Sequence, residues 1–75
     1  MRLVYKTKQL KTAEEVREYI KKTFHVDCSV AVHPTHTVIN TRRKLSKTEL
    51  AELNDWMAEN MDGRLLKNML AGVAK

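Results

Sequence analysis

The chain has 75 residues, with 14 Lys/Arg against 9 Asp/Glu, a formal net charge of +5 and a single cysteine. This length supports one small domain, residues 1–75, that buries only about two thirds of its unfolded surface, and one cysteine excludes an internal disulfide framework and fits a reducing compartment. No apolar run approaches the ~20 residues of a membrane span and the first residues form no signal-peptide core, so the expectation is a cytoplasmic protein with no membrane partner.

The charge is uneven along the chain. Residues 1–48 hold eleven Lys/Arg and four Asp/Glu, a sum of +7; residues 49–75 hold three and five, a sum of −2. A basic first part suits phosphates or an acidic protein, although ordinary solubilising charge has the same look.

Arg2-Leu3-Val4-Tyr5-Lys6 is a short strand, with Leu3 and Tyr5 toward a core and Arg2, Val4 and Lys6 on the other face. Thr12-Ala13-Glu14-Glu15 has the form of a capping box and opens a helix to about Phe24. Along it Ala13, Val16, Tyr19, Ile20 and Phe24 make one apolar stripe. Early Glu14, Glu15 and Glu18 and late Lys21 and Lys22 complement the helix dipole.

Val26 to Arg43 (VDCSVAVHPTHTVINTRR) forms a β-hairpin. Apolar residues recur at every second position up to His33-Pro34-Thr35-His36, where proline ends the ladder. A two-residue turn at Pro34-Thr35 would set Val32 opposite Thr37, Val30 opposite Ile39 and Cys28 opposite Thr41; Pro-Thr is not a favoured primed-turn pair, so a four-residue turn is the alternative. Val26, Cys28, Val30, Val32 and Ile39 then share the core face. Ser29, Ala31, His33, His36, Val38, Asn40 and Arg42 share the open one. Cys28 is expected to be a small buried residue rather than a reactive thiol.

Ser46-Lys47-Thr48-Glu49 is a second capping box, with Leu45 and Leu50 as a hydrophobic staple. The helix it opens buries Leu50, Leu53, Met57 and Met61, with Ala51 and Ala58 allowing close approach. It exposes Glu52, Asp55, Glu59 and Asp62. Gly63 is expected to end it in the left-handed conformation. Leu65, Leu66, Met69, Leu70 and Val73 then fall at helical spacing, which predicts a helical extension over 64–75.

The fold expected is α+β: a two-layer sandwich of order β-α-β-β-α, a three-stranded sheet with both main helices on one face, and the short C-terminal helix. This order is similar to that of the small DNA-damage-inducible RecA modulators, as is Val38-Ile39 followed by a helix containing Trp56. The resemblance implies no functional residue, only a place near nucleic-acid machinery.

Three functions follow as expectations. The first is a small non-enzymatic regulatory or accessory protein that binds a protein partner or a second copy of itself. It would do so through Leu65, Leu66, Met69, Leu70 and Val73, aided by the acidic second helix. The alternative is a nucleic-acid-binding module whose open sheet face uses Arg2, Lys6, His33, His36, Asn40, Arg42, Arg43 and Lys44. That face has no aromatic platform, so its contacts would be to phosphates. The third is a small ribonuclease with His33 and His36 as acid and base and Arg42 at the transition state. Two histidines fall short of a metal site, and Gly63 and Gly72, the only glycines, make no phosphate loop; no metal and no cofactor are expected.

Overall fold

The computed structural model of the chain describes residues 1–69. Six elements follow one another: β1 (Arg2–Lys6), α1 (Ala13–Phe24), β2 (Cys28–Val32), β3 (His36–Thr41), α2 (Lys47–Met61) and β4 (Arg64–Met69). The strands form one sheet of order β2-β3-β1-β4 in which every neighbouring pair is antiparallel. β1 and β2, joined through α1, therefore run in the same direction with β3 between them.

The hairpin has the register its alternation predicts, with Cys28 opposite Thr41, Val30 opposite Ile39 and Val32 opposite Thr37. The His33 N–H donates to the His36 carbonyl at 2.8 Å, which closes a two-residue turn at Pro34-Thr35. On the helix side Leu3, Tyr5, Thr37 and Ile39 are fully buried. They share one core with Val16, Ile20 and Phe24 of α1, with Leu53, Met57 and Met61 of α2, and with Val26 and Leu45. Cys28, Val30 and Val32 pack against that core but stay half-buried, because β2 is an edge strand.

Both capping boxes form. Thr12 Oγ1 accepts the Glu15 N–H at 3.1 Å and Glu15 Oε1 accepts the Thr12 N–H at 2.9 Å. Ser46 and Glu49 repeat the exchange at 3.1 and 2.9 Å. His25 caps the end of α1 in the left-handed region, φ 58°, with its N–H on the Lys21 carbonyl. The two helices meet where Tyr19 stacks on Trp56, ring centroids 4.2 Å apart. Two polar pairs are built into the core. The Tyr5 hydroxyl donates to Asn54 Oδ1 at 2.6 Å, and the Thr7 and Thr37 hydroxyls share a hydrogen bond of 2.7 Å. Desolvation pushes the Tyr5 hydroxyl well above the usual phenol range.

The structure corrects the C-terminal expectation. Residues 64–69 form the fourth strand of the sheet and not a helix, so the three-stranded sheet becomes four-stranded. The order also departs by one strand from the β-α-β-β-α pattern behind the resemblance. The reason is tertiary. β1 pairs with β3 along one edge only, and the chain leaving α2 returns beside its other edge to complete the ladder. The register shifts between Val4 and Tyr5: Tyr5 faces Leu65 and Val4 faces Lys67. Leu66 is thus the extra residue of a bulge. Leu65 packs against the core while Leu66 is 51% exposed, so the two do not form one apolar stripe. Leu70 and Val73 lie outside the described residues.

Two further expectations change. Asp62, not Gly63, is the left-handed cap of α2, with φ 51°. Gly63 is needed for clearance, since a Cβ there would stand 3.0 Å from Thr7 Cγ2 and 3.1 Å from both Cβ and the carbonyl oxygen of Met57. Ala51 and Ala58 are exposed rather than at a helix contact.

This packing can be tested at two residues. Gly63→Ala adds a methyl against a helix backbone that cannot withdraw, and overpacking of this kind costs about 1–3 kcal/mol. Its urea midpoint should fall below that of the wild type. The second residue is Glu49, whose carboxylate is held down from 4.5 to about 2 by the Arg43 guanidinium and then by the Ser46 N–H. A folded pKa below the unfolded one contributes stability that is fully present above about 4.5 and lost as pH falls toward about 2. Thermal melts through that window should show a smaller loss for Glu49→Gln than for the wild type.

Candidate nucleic-acid interface

The face of the sheet turned away from the helices is set by the same alternation. Along β1 and β3 the odd residues enter the core, and Arg2, Val4, Lys6, His36, Val38 and Asn40 point to the open side. The register arranges them in three rows across the strands. At one end Ser29, Asn40 and Arg2 are successive neighbours; at the other, His36, Lys6 and Arg64 are. Ala31, Val38 and Val4 form an aliphatic row between them. Arg2 and Lys6 are four residues apart on β1, about 13 Å at the rise of an extended strand.

His33 and His36 lie across the turn with rings stacked, centroids 4.5 Å apart and planes 21° from parallel. Rings this close leave no room for a phosphate between them, which is the geometry a two-histidine nuclease needs. Among the described residues no group of three or more His, Cys, Asp or Glu converges as metal ligands.

Of the basic residues expected on this face, Arg2, Lys6 and Arg42 are exposed there, and His33 and Asn40 are exposed with them. Arg42 follows the last β3 position, with its N–H on the Asp27 carbonyl at 2.9 Å. Lys44 is exposed but sits in the connection to α2, next to buried Leu45, and is not part of the sheet.

Arg43 is engaged elsewhere. Both its terminal nitrogens meet the Glu49 carboxylate at 2.8 Å, and they also donate to the carbonyls of Lys44 and Phe24 at 3.1 Å. A guanidinium engaged in this fork ties the end of α1 to the start of α2. Of the residues expected to hold a protein partner, Leu65 is half-buried against the core and Leu66 is exposed. Met69 is placed only by its backbone, opposite Arg2.

Arg64 was missed by sequence reasoning, because a helical reading of residues 64–75 detaches it from the sheet. The structure sets it beside Lys6. Val4 and Val38 were placed on this face by the register but not as part of a site.

The acidic residues lie apart from this face. Glu14, Glu15 and Glu18 are on α1, Glu49, Glu52, Asp55 and Glu59 on α2, and Asp62 caps α2. Asp27 directly precedes β2, and Asp62, two residues before β4, pairs with Lys8 at 3.2 Å, so one carboxylate stands near each end of the sheet. The four aromatic side chains are also on the helix side: Tyr5 in the core, and Tyr19, Phe24 and Trp56 between the helices. No described helix is long and apolar enough to cross a membrane. Comparisons with protein-family models, curated proteins and solved structures find no match for this chain.

Proposed function

We propose that this protein is a small non-enzymatic accessory domain that binds nucleic acid through its helix-free sheet face. The observation that carries this reading is the segregation of charge between the two layers. Arg2, Lys6, Arg42 and Arg64 stand on the sheet side with Asp27 beside β2 and Asp62 ahead of β4, the latter paired with Lys8, while the other seven carboxylates belong to the helices. A polyanion approaching the sheet meets cations at both ends of the strands and no opposing acidic row. The aliphatic row of Ala31, Val38 and Val4 offers no ring on which bases could stack, so the contacts are to phosphates and the preference is for a duplex backbone. Asn40, Ser29 and the two histidines add neutral hydrogen-bonding groups between the cations.

A protein partner is the second reading, and the exposed carboxylates of Glu52, Asp55 and Glu59 on α2 favour it. The partner of that surface would be basic. An apolar C-terminal helix no longer supports it, because residues 64–69 are sheet.

Binding of a short fluorescent duplex, followed by anisotropy across a salt series, tests the nucleic-acid reading. Affinity should fall steeply with salt through counterion release. Alanine at Arg2 and Lys6 together should weaken binding to all sequences and reduce the salt slope by about 1 for each phosphate left unneutralised. A wild type that shows no binding at low ionic strength, or a double variant that binds as well as the wild type, would overturn it.

A further inference from the structure

The free edge of β2 is the second surface with a defined chemistry. Arg42 N–H donates to the Asp27 carbonyl and His33 N–H to the His36 carbonyl. In an antiparallel ladder hydrogen-bonded pairs alternate with non-bonded ones. With this register, residues 27, 29, 31 and 33 bond to β3, and the N–H and carbonyl groups of Cys28, Val30 and Val32 point outward from the sheet. Natural edges are blunted by lysine, proline, a bulge or a covering element. β2 reads Cys-Ser-Val-Ala-Val, pairs with β3 in unbroken register, and has none of the first three. The opposite edge differs: β4 contains arginine, lysine and a bulge.

A cleft of about 650 Å³ opens at the Cys28 end of this edge, lined by Arg17 and Lys21 of α1, by residues 27–29 and by residues 40–42 at the end of β3. Arg17 and Lys21 are four apart on α1, so they stand on one side of the helix, next to each other. Three cations face one carboxylate there. The sequence signal was present in that spacing, but only the packing of α1 beside β2 gives it a use.

From these observations we infer that the β2 edge captures an extended acidic peptide segment as a fifth strand. The backbone groups of Cys28, Val30 and Val32 hold its main chain, and Arg17, Lys21 and Arg42 hold its carboxylates. The half-buried side chains of Cys28, Val30 and Val32 provide an apolar floor for alternate residues of the peptide. This surface meets the open sheet face at Ser29, Asn40 and Arg42, and the inference does not rest on nucleic-acid binding.

The probe is a short fluorescent peptide alternating valine and glutamate, compared with the same peptide carrying lysine for glutamate. The acidic peptide should bind, the basic one should not, and the amides of Cys28, Val30 and Val32 should gain protection from hydrogen exchange on binding. Reversing both charges, Arg17→Glu with Lys21→Glu, should weaken the acidic peptide about tenfold or more, the scale of two ion pairs removed. Val30→Pro removes only an N–H outside the ladder, which an edge strand accommodates, and should abolish capture. If that variant loses its fold by circular dichroism, the charge reversal and the exchange pattern decide. Equal binding of both peptides, binding of neither, or an unchanged affinity after charge reversal would overturn the inference. So would protection of the same amides by self-association of the peptide-free protein.

Discussion

Leu3, Tyr5, Thr37, Ile39 and Thr41 are all buried, and they are the odd-numbered residues of β1 and β3. These two strands occupy the middle of the sheet, and the period of two along them decides everything outside it. Their side chains on the helix side give α1 and α2 one surface to cover, so both helices end on the same face. Polar members of the set are paired rather than hydrated: Thr7 with Thr37, Tyr5 with Asn54, and Thr41 Oγ1 with the Arg43 carbonyl at 2.6 Å. Among the described residues no buried side-chain nitrogen or oxygen lacks a partner. That is the condition on which a small core can hold such groups, because an unmet buried hydroxyl costs about 1–3 kcal/mol.

Where the deciding signal was local, the sequence could be read. The hairpin register follows from alternation and from Pro34, and both helix starts follow from a hydroxyl and a glutamate three residues apart. The last strand was illegible for a corresponding reason. Leu65, Leu66, Met69 and Leu70 are good helix formers at helical spacing, and nothing within the segment says otherwise. What decides is the unpaired edge of β1, at the other end of the chain. The bulge at Leu66 then resolves the two adjacent leucines, one into the core and one to solvent. Gly63 teaches a similar point. Its place after a helix suggested a left-handed backbone, yet Asp62 takes that conformation, and the reason for glycine is Thr7 and Met57 at its back.

The candidate face was legible in part. Arg2, Lys6, Asn40 and the histidines were placed by alternation alone, and the structure keeps them together. Arg43 was grouped with Arg42 and Lys44 because the three are adjacent in sequence. Adjacency does not give direction: Arg42 lies on the sheet side, while Arg43 turns to Glu49 and braces the two helices. The glutamate that receives it was already assigned to the Ser46 capping box, and a carboxylate has oxygens enough for both. Arg64 entered from a segment assigned to another element.

Gathering four cations on one sheet face has an energetic side that bears on function. Between the two end rows the separation is about 13 Å, beyond the ~8 Å screening length at physiological ionic strength. Arg2 and Lys6 therefore repel one another weakly, and the fold is little destabilised by holding both. Lys6 and Arg64 are closer, as cross-strand neighbours, and both are exposed to water and counterions. A phosphate backbone laid on the face would come closer to each cation than this screening length. The arrangement thus separates what the protein feels alone from what a bound polyanion feels. An acidic strand at the β2 edge would draw on Arg17 and Lys21 of α1, leaving Arg2, Lys6 and Arg64 free, so the two surfaces would compete only at the end they share, at Ser29, Asn40 and Arg42.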